Sequence, residues 1–485
     1  SSFVETENYR SAVAEDKRAH VEKQILTELE NGRYRIVNRK SNIISALGAI
    51  PKKDSGNVRL IHDASRPAGQ ALNNFATTHH FKYQFVQDAV HLVTHGCYFA
   101  KLDLANAYRC VKIHPSNYKA TGLKWRFKGD SHDTYLIDER LPFGASKSPQ
   151  IFNRITQSVR AIMDRKGYKT IICYLDDFLI VAQTYDECLQ ALNALLRLLR
   201  QLGFQINYSK IEGPCQSLTF LGIVLDSNNM TLSIPDSKLR EVEEIMKQIL
   251  KRKKVTKRDI QSLVGKLNWI TQCIYGGRYH MRRLIDRSNT LRKSWHRTLV
   301  TKEMKQDIIW WLEFMSIFNG TMKMVDNRPA TPVSIDACKI AGGAFYCGDF
   351  IYTPWTNKAA LLPINYLEVL SLEPAAQRWA PCWANRKVYV HCDNVTACHI
   401  INKGSSKNPT VMASLRRIFW LSALYNFRIH ALYYPGPCNS LADRASRLHE
   451  PDGLNKPEDH WSCSSPESIH SLHSRISSSK ANCTI

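Results

Sequence analysis

Two adjacent aspartates, Asp176 and Asp177, stand between two apolar segments that contain β-branched residues, 171–175 and 178–182. Segments of this kind are typical of buried strands, so the pattern predicts two strands folded back on each other with the aspartates at the turn. Neighbouring carboxylates repel each other, and a divalent cation is the natural group to hold them, because Mg²⁺ binds few carboxylates and takes phosphate oxygens as further ligands. The hairpin therefore indicates metal-assisted phosphoryl chemistry.

The charge balance favours an anionic polymer as partner. The 485 residues carry a formal net charge of +23, and each phosphate that a protein neutralises releases counterions and adds affinity. Residues 238–300 hold 17 Lys or Arg against 5 Asp or Glu, with the run 251–254 at the centre. A basic run alone is usually a solvated face or a localisation signal. Here it continues into a segment with helical periodicity, 259–285. The segment therefore predicts a helical module that binds along the phosphate backbone of a nucleic acid.

The cysteines and the hydropathy pattern exclude other classes of protein. The 14 cysteines form no Cys-x-x-Cys pair and no signal peptide precedes them, which favours reduced thiols in the cytoplasm and/or the nucleus. His391 with Cys392 and Cys398 with His399 suggest zinc, but their spacing matches no standard ligand frame. No apolar segment approaches the length of a membrane span, so we expect no membrane partner.

A second segment with strand character, 98–104, carries one acidic residue, Asp103, and Tyr108 follows five positions later. A lone aspartate at a strand end is more often a turn or cap residue. Together with Asp176 and Asp177, however, it completes a set of three carboxylates on neighbouring strands, which is the set that two-metal phosphoryl transfer needs.

The C-terminal part contains a second set of carboxylates. After 327–329, which we interpret as a linker, a new β/α pattern extends from residue 333 to about residue 447. In it, four acidic residues stand at the ends of predicted strands and helices: Asp336, Glu368, Asp393 and Asp443. Each of them alone could be a helix cap, and Glu373 is an alternative to Glu368. The stretch after residue 452 holds nine serines and few large apolar residues, which predicts a disordered tail.

These residues belong to a series of motifs whose order resembles that of retroelement reverse transcriptases. The series is Lys52-Lys53-Asp54, Arg59-Leu60-Ile61-His62-Asp63, Lys101-Leu102-Asp103-Leu104 with Tyr108, Leu141-Pro142-Phe143-Gly144 with Ser148-Pro149 and Phe152, Tyr174-Leu175-Asp176-Asp177, Lys210, and Phe220-Leu221-Gly222. Tyr-x-Asp-Asp alone occurs by chance in many chains, but the ordered series over about 170 residues does not.

The resemblance implies a role for each matching position. Asp103, Asp176 and Asp177 would bind the metals, with Asp177 the least direct ligand. Lys52 and Arg59 would hold the incoming triphosphate, and Tyr108 would exclude the 2′-hydroxyl of a ribonucleotide. The other implied roles are Phe143 and Gly144 in the nucleotide pocket, Lys210 as proton donor to pyrophosphate, and Phe220, Leu221 and Gly222 at the primer end.

The second set resembles the RNase H fold of retroelements, in which Asp336, Glu368, Asp393 and Asp443 would bind metal and direct water onto an RNA phosphodiester. Cys392 and Cys398 would then be packing residues. The histidine that some retroviral enzymes carry in the last loop is replaced here by residues 433–436. The motifs around Asn73-Asn74, 263–267 and 393–397 look most like the DIRS branch, with gypsy-type LTR retrotransposons as second choice.

The resemblance implies an α+β chain built as a right-hand polymerase with fingers, palm and thumb, followed by an RNase H-like α/β domain. We expect an N-terminal helical extension (1–40), fingers and palm (41–235), a basic helical thumb (236–300), a connection (301–329), an RNase H-like domain (330–448) and a disordered tail (449–485). A Trp-rich helical stretch with Trp295, Trp310 and Trp311 leads to the linker at 327–329.

The expected activity is that of an RNA-directed DNA polymerase, a nucleotidyltransferase, with a ribonuclease H (an endonuclease and hydrolase) that degrades the RNA strand of the hybrid. The implied cofactor is Mg²⁺, with Mn²⁺ as the alternative, at two ions per active site. The implied partners are an RNA template, a DNA primer, the RNA–DNA hybrid and dNTPs. The sequence does not define an oligomeric state. Two alternatives stay open: a non-catalytic nucleic-acid-binding protein and a DNA-templated polymerase.

Overall fold

The computed structural model describes residues 4–51, 58–77, 82–317 and 320–450. The chain divides into two compact units, Ser1–Pro235 and Asp236–Ile485. Lys52 lies outside the described residues, as does the predicted tail from residue 451 onward. None of the described helices is long and apolar enough to cross a bilayer.

The first unit mixes strands and helices along the chain. Its strands are β1 (Val4–Glu5), β2 (Tyr34–Ile36), β3 (Ile43–Ile44), β4 (Ala46–Pro51), β5 (Val58–Asp63), β6 (Tyr98–Asp103), β7 (Gly122–Trp125), β8 (Thr134–Asp138), β9 (Ile171–Tyr174), β10 (Asp177–Ala182), β11 (Glu212–Cys215), β12 (Ser217–Phe220), β13 (Ile223–Asp226) and β14 (Thr231–Ser233). Its helices are α1 (Arg10–Val13), α2 (Glu15–Glu30), α3 (Val86–Val90), α4 (Ser148–Arg165) and α5 (Tyr185–Gln201).

The central sheet of this unit has the strand order β11-β6-β10-β9. Helices α4 and α5 contact this sheet, and the core between them contains Leu102, Phe152, Phe178 and Leu195, each at most 1% exposed. The apolar segments on both sides of Asp176 and Asp177 are therefore buried strands, as their composition predicts.

Helix α5 shows how local sequence sets the boundaries. Thr184 and Glu187 form a capping box in which each side chain accepts a hydrogen bond from the other residue's amide, which satisfies two amides that the helix leaves unpaired. Apolar residues at helical spacing face the sheet, and Gly203 follows the helix with φ +81°. Helix α5 therefore begins at Tyr185, directly after the Thr184 cap.

The N-terminal part forms a second layer. Five strands make a sheet of order β1-β3-β7-β8-β2, and β4 and β5 form a separate two-stranded ribbon. Helix α2 packs Val21 and Ile25, one turn apart, into a core with Leu47 and Trp125. Helices α1 and α2 lie in the segment predicted as an N-terminal helical extension, 1–40, which also holds β1 and β2 of this sheet.

The second unit contains one large sheet and most of the helices. Its strands are β15 (Lys254–Thr256), β16 (Arg297–Leu299), β17 (Thr321–Lys323), β18 (Ala330–Ala337), β19 (Ala341–Tyr346), β20 (Asp349–Pro354), β21 (Lys387–Cys392) and β22 (Arg428–Tyr433). Its helices are α6 (Asp236–Lys251), α7 (Lys257–Ile270), α8 (Arg282–Asn289), α9 (Lys302–Ile317), α10 (Asn357–Ala360), α11 (Ile364–Trp379), α12 (Val395–Lys403), α13 (Pro409–Leu424) and α14 (Ser440–Ser446).

The basic segment is helical but not continuous. The prediction of one helical stretch over 259–285 is wrong in that α7 ends at Ile270 and α8 begins at Arg282, with the 3-10 turn Gly277–His280 between them. Gly276 has φ +80°, a conformation that an α-helix interior does not use. Trp295 likewise lies outside a helix, two residues before β16, whereas Trp310 and Trp311 are in α9.

The large sheet has the order β20-β19-β18-β21-β22, with β18 antiparallel to β19 and parallel to β21. Its core also takes in residues of the 3-10 turn: Tyr279 is 7% exposed and stacks on Phe419 of α13 at a ring separation of 5.1 Å. A side chain at Gly276 would overlap the Phe419 ring. The turn after the basic helix α7 therefore shares one core with the sheet domain.

Candidate active sites

The three aspartates of the first set meet at one end of the central sheet. Strand β6 ends at Asp103 and pairs antiparallel with β10, which begins at Asp177, and these two residues lie directly opposite each other. Such pairs point to the same face with Cβ atoms about 5 Å apart. Asp176 lies in the two-residue turn from β9 to β10, after Leu175 in the left-handed region at φ 54°. The Leu104 amide donates to the Asp176 carbonyl at 3.1 Å.

The electrostatics of this cluster favour a cation. Burial raises the pKa of Asp176, and burial together with the charges of Asp176 and Asp103 raises the pKa of Asp177 to about 7. Lys210 donates to Asp103 at 2.8 Å, which raises the lysine pKa. The lysine side chain is 63% exposed and that of Asp103 15%. The cluster thus has three carboxylates and, beside them, one lysine that is largely exposed. This arrangement fits a divalent metal.

A cavity of about 960 Å³ lies against this cluster and is lined by Arg59, Tyr108, Phe143 and Gly144, among others. The Arg59 guanidinium stands 4.9 Å from the Phe143 ring centroid. Tyr108 packs on Phe143 at 5.0 Å and on Phe152 at 5.4 Å. Burial, with the charge of Asp176 as the second cause, raises the pKa of Tyr108 to about 12. The predicted nucleotide residues that the structure describes therefore share one cavity.

Gly144 is required by the backbone of this pocket. Its φ is +115°, and a Cβ there would overlap the carbonyl oxygen of His62. The His62 amide donates to the Phe143 carbonyl at 2.8 Å. Asn73 fixes the same loop, since its Nδ2 donates to the Gly144 carbonyl at 3.1 Å and its Oδ1 accepts from the Ser146 amide at 2.7 Å. The motifs predicted no role for Asn73 at this site.

Behind the pocket lies a buried charge network that sequence reasoning missed. Arg109, next to Tyr108 on one 3-10 turn, donates to Glu28 of α2 at 2.8 and 3.0 Å and to Asp138 at 2.7 Å. His62 Nε2 lies 3.5 Å from Asp138 and 3.0 Å from the Tyr34 hydroxyl. Burial lowers the His62 pKa. The N-terminal helix is thereby tied to the turn that carries Tyr108.

The predicted primer residues form the turn of a hairpin. Phe220 ends β12, and Leu221 and Gly222 make the turn to β13 with φ 49° and 84°, as type I′ hairpin turns require. A cavity of about 400 Å³ is lined by Phe220, Leu221, Asp177 and Lys210, among others. Lys101 Nζ donates to the Thr219 carbonyl at 2.6 Å, which ties the hairpin to β6. The turn therefore lies near the aspartates.

The second set of carboxylates also comes together. Asp336 is on β18, Glu368 on α11 and Asp443 on α14, and Asp393 follows the last residue of β21. Because β18 and β21 are parallel neighbours, their carboxyl ends meet at one edge of the sheet. Among the described residues, oxygen or sulfur atoms of Glu368, Cys392 and Asp393 lie within 4.8 Å of one another.

Mutual repulsion and burial perturb this second set. Burial, then the charges of Asp336 and Asp393, raises the pKa of Glu368 to about 9. Burial, then Asp443 and Asp393, raises the pKa of Asp336 to about 6. Ser446 Oγ donates to Asp336 Oδ2 at 2.6 Å, and the Ala337 amide donates to Glu368 at 3.2 Å. Arg447 donates to Asp443 at 2.8 Å. Four crowded carboxylates with one arginine beside them fit a divalent cation.

The structure separates Glu368 from the alternative Glu373. Glu373 pairs with Arg417 through both of its oxygens, whereas Glu368 is 3% exposed and faces Asp336 and Asp393. Cys392 is fully buried and Cys398 is 6% exposed, so both pack in the core. Four carboxylates and one thiol form a poor zinc frame and a better magnesium site.

Residues 50–225 match the family model "Reverse transcriptase (RNA-dependent DNA polymerase)". The Gag-Pol polyprotein of Koala retrovirus is 29% identical over 140 residues, which are 28% of this chain and 8% of the polyprotein. The Tf2-3 transposon polyprotein of Schizosaccharomyces pombe is 21% identical over 454 residues, 87% of this chain and 30% of the polyprotein. The chain thus spans only a small part of the length of these relatives, and its residues 50–225 are similar to reverse transcriptases.

The solved structures extend the likeness to the whole fold. A foamy viral protease-reverse transcriptase in complex with an RNA/DNA hybrid matches 96% of this chain and 58% of its own, with 16% identity and a TM-score of 0.55. The same kind of protein in complex with double-stranded DNA matches 89% and 72% at 16% identity, with a TM-score of 0.53. The fold is therefore a right-hand polymerase with an RNase H-like domain, as the sequence predicts.

Proposed function

We propose that this protein is an RNA-directed DNA polymerase with ribonuclease H activity, which copies retroelement RNA into DNA and degrades the RNA strand of the hybrid. The observation that carries the proposal is the pairing of Asp103 opposite Asp177, with Asp176 in the adjoining turn. This cluster borders a cavity large enough for a nucleotide. The match to reverse transcriptases over residues 50–225 supports the same reaction.

In the polymerase reaction a primer 3′-hydroxyl attacks the innermost phosphate of a dNTP and releases pyrophosphate. Asp103, Asp176 and Asp177 would hold two Mg²⁺, or Mn²⁺, which when bound lower the pKa of the hydroxyl and neutralise the triphosphate. Arg59 is held on the Phe143 ring at the cavity wall, where it can make charge-assisted bonds to the triphosphate. Lys210 keeps its proton through its contact with Asp103 and can donate it to pyrophosphate.

Tyr108 supports selection of deoxynucleotides. Its ring is fixed between Phe143 and Phe152, so it cannot retreat when a 2′-hydroxyl approaches. Its raised pKa keeps the phenol neutral at physiological pH.

In the nuclease reaction water attacks an RNA phosphodiester. Asp336, Glu368, Asp393 and Asp443 would hold the cations, which when bound activate the water. Ser446 fixes one oxygen of Asp336 and the Ala337 amide one oxygen of Glu368, which orients these carboxylates for a metal. The metal would compete with the Cys392 thiol for the second oxygen of Glu368 and with Arg447 for Asp443.

The proposal includes the finer assignments. An RNA template, a DNA primer and their hybrid are the expected nucleic-acid partners, and the foamy viral relative bound to an RNA/DNA hybrid supports this. The motifs around Asn73 and Asp393 support a DIRS-like element, with a gypsy-type element second. Residence in the cytoplasm and/or nucleus stays a prediction.

The decisive experiment is primer extension on RNA and DNA templates with Mg²⁺. We expect dNTP incorporation on the primed RNA, abolished by Asp176→Asn, while Asp443→Asn ends RNA cleavage and spares synthesis. Asp186→Asn, on an exposed residue of α5, is the matched control and should leave both activities intact. Wild-type protein that binds hybrid without incorporating dNTPs would refute polymerase activity, and loss of both activities in Asp443→Asn would refute two separate sites.

A further inference from the structure

The ribbon formed by β15 and β16 carries an exposed tryptophan that neither carboxylate set uses. The two strands pair antiparallel, with Thr256 opposite Arg297. Trp295 comes two residues before β16 and is 63% exposed. The Lys293 ammonium lies 5.2 Å from its ring centroid. An exposed indole loses the free energy that burial of its apolar surface would give. A position that keeps an indole exposed beside a cation therefore indicates a ligand with a flat face and negative charge.

The surface around Trp295 is strongly basic. The chain segments are held together by backbone bonds, since the Lys257 amide donates to the His296 carbonyl and the Arg258 amide to the Ser294 carbonyl, both at 2.9 Å. Exposed cations on these segments are Lys253, Lys254, Arg258, Arg292, Lys293 and Arg297. Within the described part of the chain, none of these six side chains forms an ion pair with a carboxylate at 4.0 Å or less. The neighbouring Arg252 does pair with Asp259, at 3.8 Å.

We propose that this ribbon, which we call the Trp295 ribbon (residues 253–258 and 292–297), binds single-stranded nucleic acid, with a base stacked on Trp295 and the backbone on the surrounding cations. Proteins that bind single strands combine a basic track with aromatic platforms, because every base has a face that can stack. A duplex covers those faces, so the tryptophan selects unpaired strands. The proposal needs nucleic acid as partner but no catalysis, so it stands or falls independently of both proposed activities.

The test measures binding of the full chain to a fluorescein-labelled 20-nucleotide oligo(dT) and oligo(U), and to a 20-base-pair DNA duplex. Trp295→Ala should weaken single-strand binding by roughly 10- to 100-fold and leave duplex binding within twofold. Trp295→Phe should retain most of the affinity, because a phenyl ring still stacks. Trp420→Ala is the matched control, since Trp420 of α13 is 64% exposed and lies outside the ribbon.

A second arm tests the cations. Lys293→Gln with Arg297→Gln should reduce the slope of log Kd against log salt by about 0.7 for each phosphate of a single strand that the variant no longer neutralises. Equal losses for single strand and duplex in Trp295→Ala, or no loss in either, would overturn the proposal. Loss of binding to anionic lipid vesicles with unchanged affinity for oligonucleotides would assign the ribbon to a membrane surface instead. Circular dichroism of each variant checks that the fold is kept.

Discussion

Replacing Arg109 by methionine tests whether the buried charge network holds the proposed nucleotide pocket to the N-terminal helix. The arginine makes three charge-assisted bonds, two to Glu28 and one to Asp138. Removing one partner of a buried ion pair typically costs about 3–5 kcal/mol, because the other charge stays buried without compensation. Methionine fills much of the space but leaves both carboxylates in place.

The structure places the expected cost at the lower end of that range. Glu28 keeps Arg33 at 3.4 Å and Gln24 at 2.9 Å, whereas Asp138, fully buried, keeps the Arg140 amide at 2.9 Å and His62 at 3.5 Å. Burial lowers the His62 pKa, so that ring is neutral at pH 7. Asp138 therefore loses its arginine and keeps an amide and a neutral ring, and we expect a loss of about 3 kcal/mol in the free energy of opening around α2.

Hydrogen exchange of the full chain, read by mass spectrometry, measures this opening region by region. Amides of α2 and β2 should exchange about 100-fold faster in Arg109→Met, since each 1.4 kcal/mol is a factor of ten, while amides of the second unit serve as internal reference. The KM for dNTPs should rise as well, because Tyr108 shares the turn with Arg109.

Arg126→Met is the matched control, because that arginine pairs with Asp133 while its side chain is 56% exposed. Exposed pairs contribute about 0–1 kcal/mol. If Arg109→Met exchanges no faster than Arg126→Met, the network carries no stability and the reasoning is refuted.

Three further predictions concern single side chains. Gly144→Ala should raise the KM for dNTPs at least about tenfold through the clash with His62, and nuclease activity should not change; an unchanged KM in primer extension would contradict this. Burial lowers the His62 pKa below 6.5, so the neutral ring favours the folded state above that pH, and urea unfolding of the first unit should show stability falling as pH drops below 6.5. His62→Gln should flatten that dependence. Ser446→Ala should slow RNA cleavage about tenfold by freeing Asp336, with dNTP incorporation as the internal control; equal loss of both would point to misfolding.

The hairpin of Asp176 and Asp177 was predictable because local composition determines it: apolar β-branched segments make strands, and two adjacent charges between such segments mark the turn. The opposing position of Asp103 and Asp177 was not, since a register between distant strands depends on the whole sheet. The break in 259–285 was visible at Gly276 and Gly277, but helical periodicity on both sides concealed it.

The sequence did not predict the residues whose roles depend on contacts between positions far apart in the chain. Asn73 reaches Gly144 across 71 positions, and Ser446 reaches Asp336 across 110. Both are ordinary polar residues that only the fold brings to a functional loop or a carboxylate. Glu28 and Arg109 are hidden for the same reason, because nothing in a charged helix or a 3-10 turn shows that its charge is buried.

The stacking of Tyr279 on Phe419 bears on how such a chain can be shortened, by an experimenter or by evolution. A chain ending at residue 329 would lose Phe419 and with it the cover over Tyr279, Tyr275 and Trp310. The truncation would leave an exposed aromatic surface on the remaining helices, and such a surface promotes self-association. A variant without the proposed nuclease activity therefore does better to keep the whole sheet and lose only its carboxylates, so loss of the carboxylates is a more accessible outcome than loss of the domain.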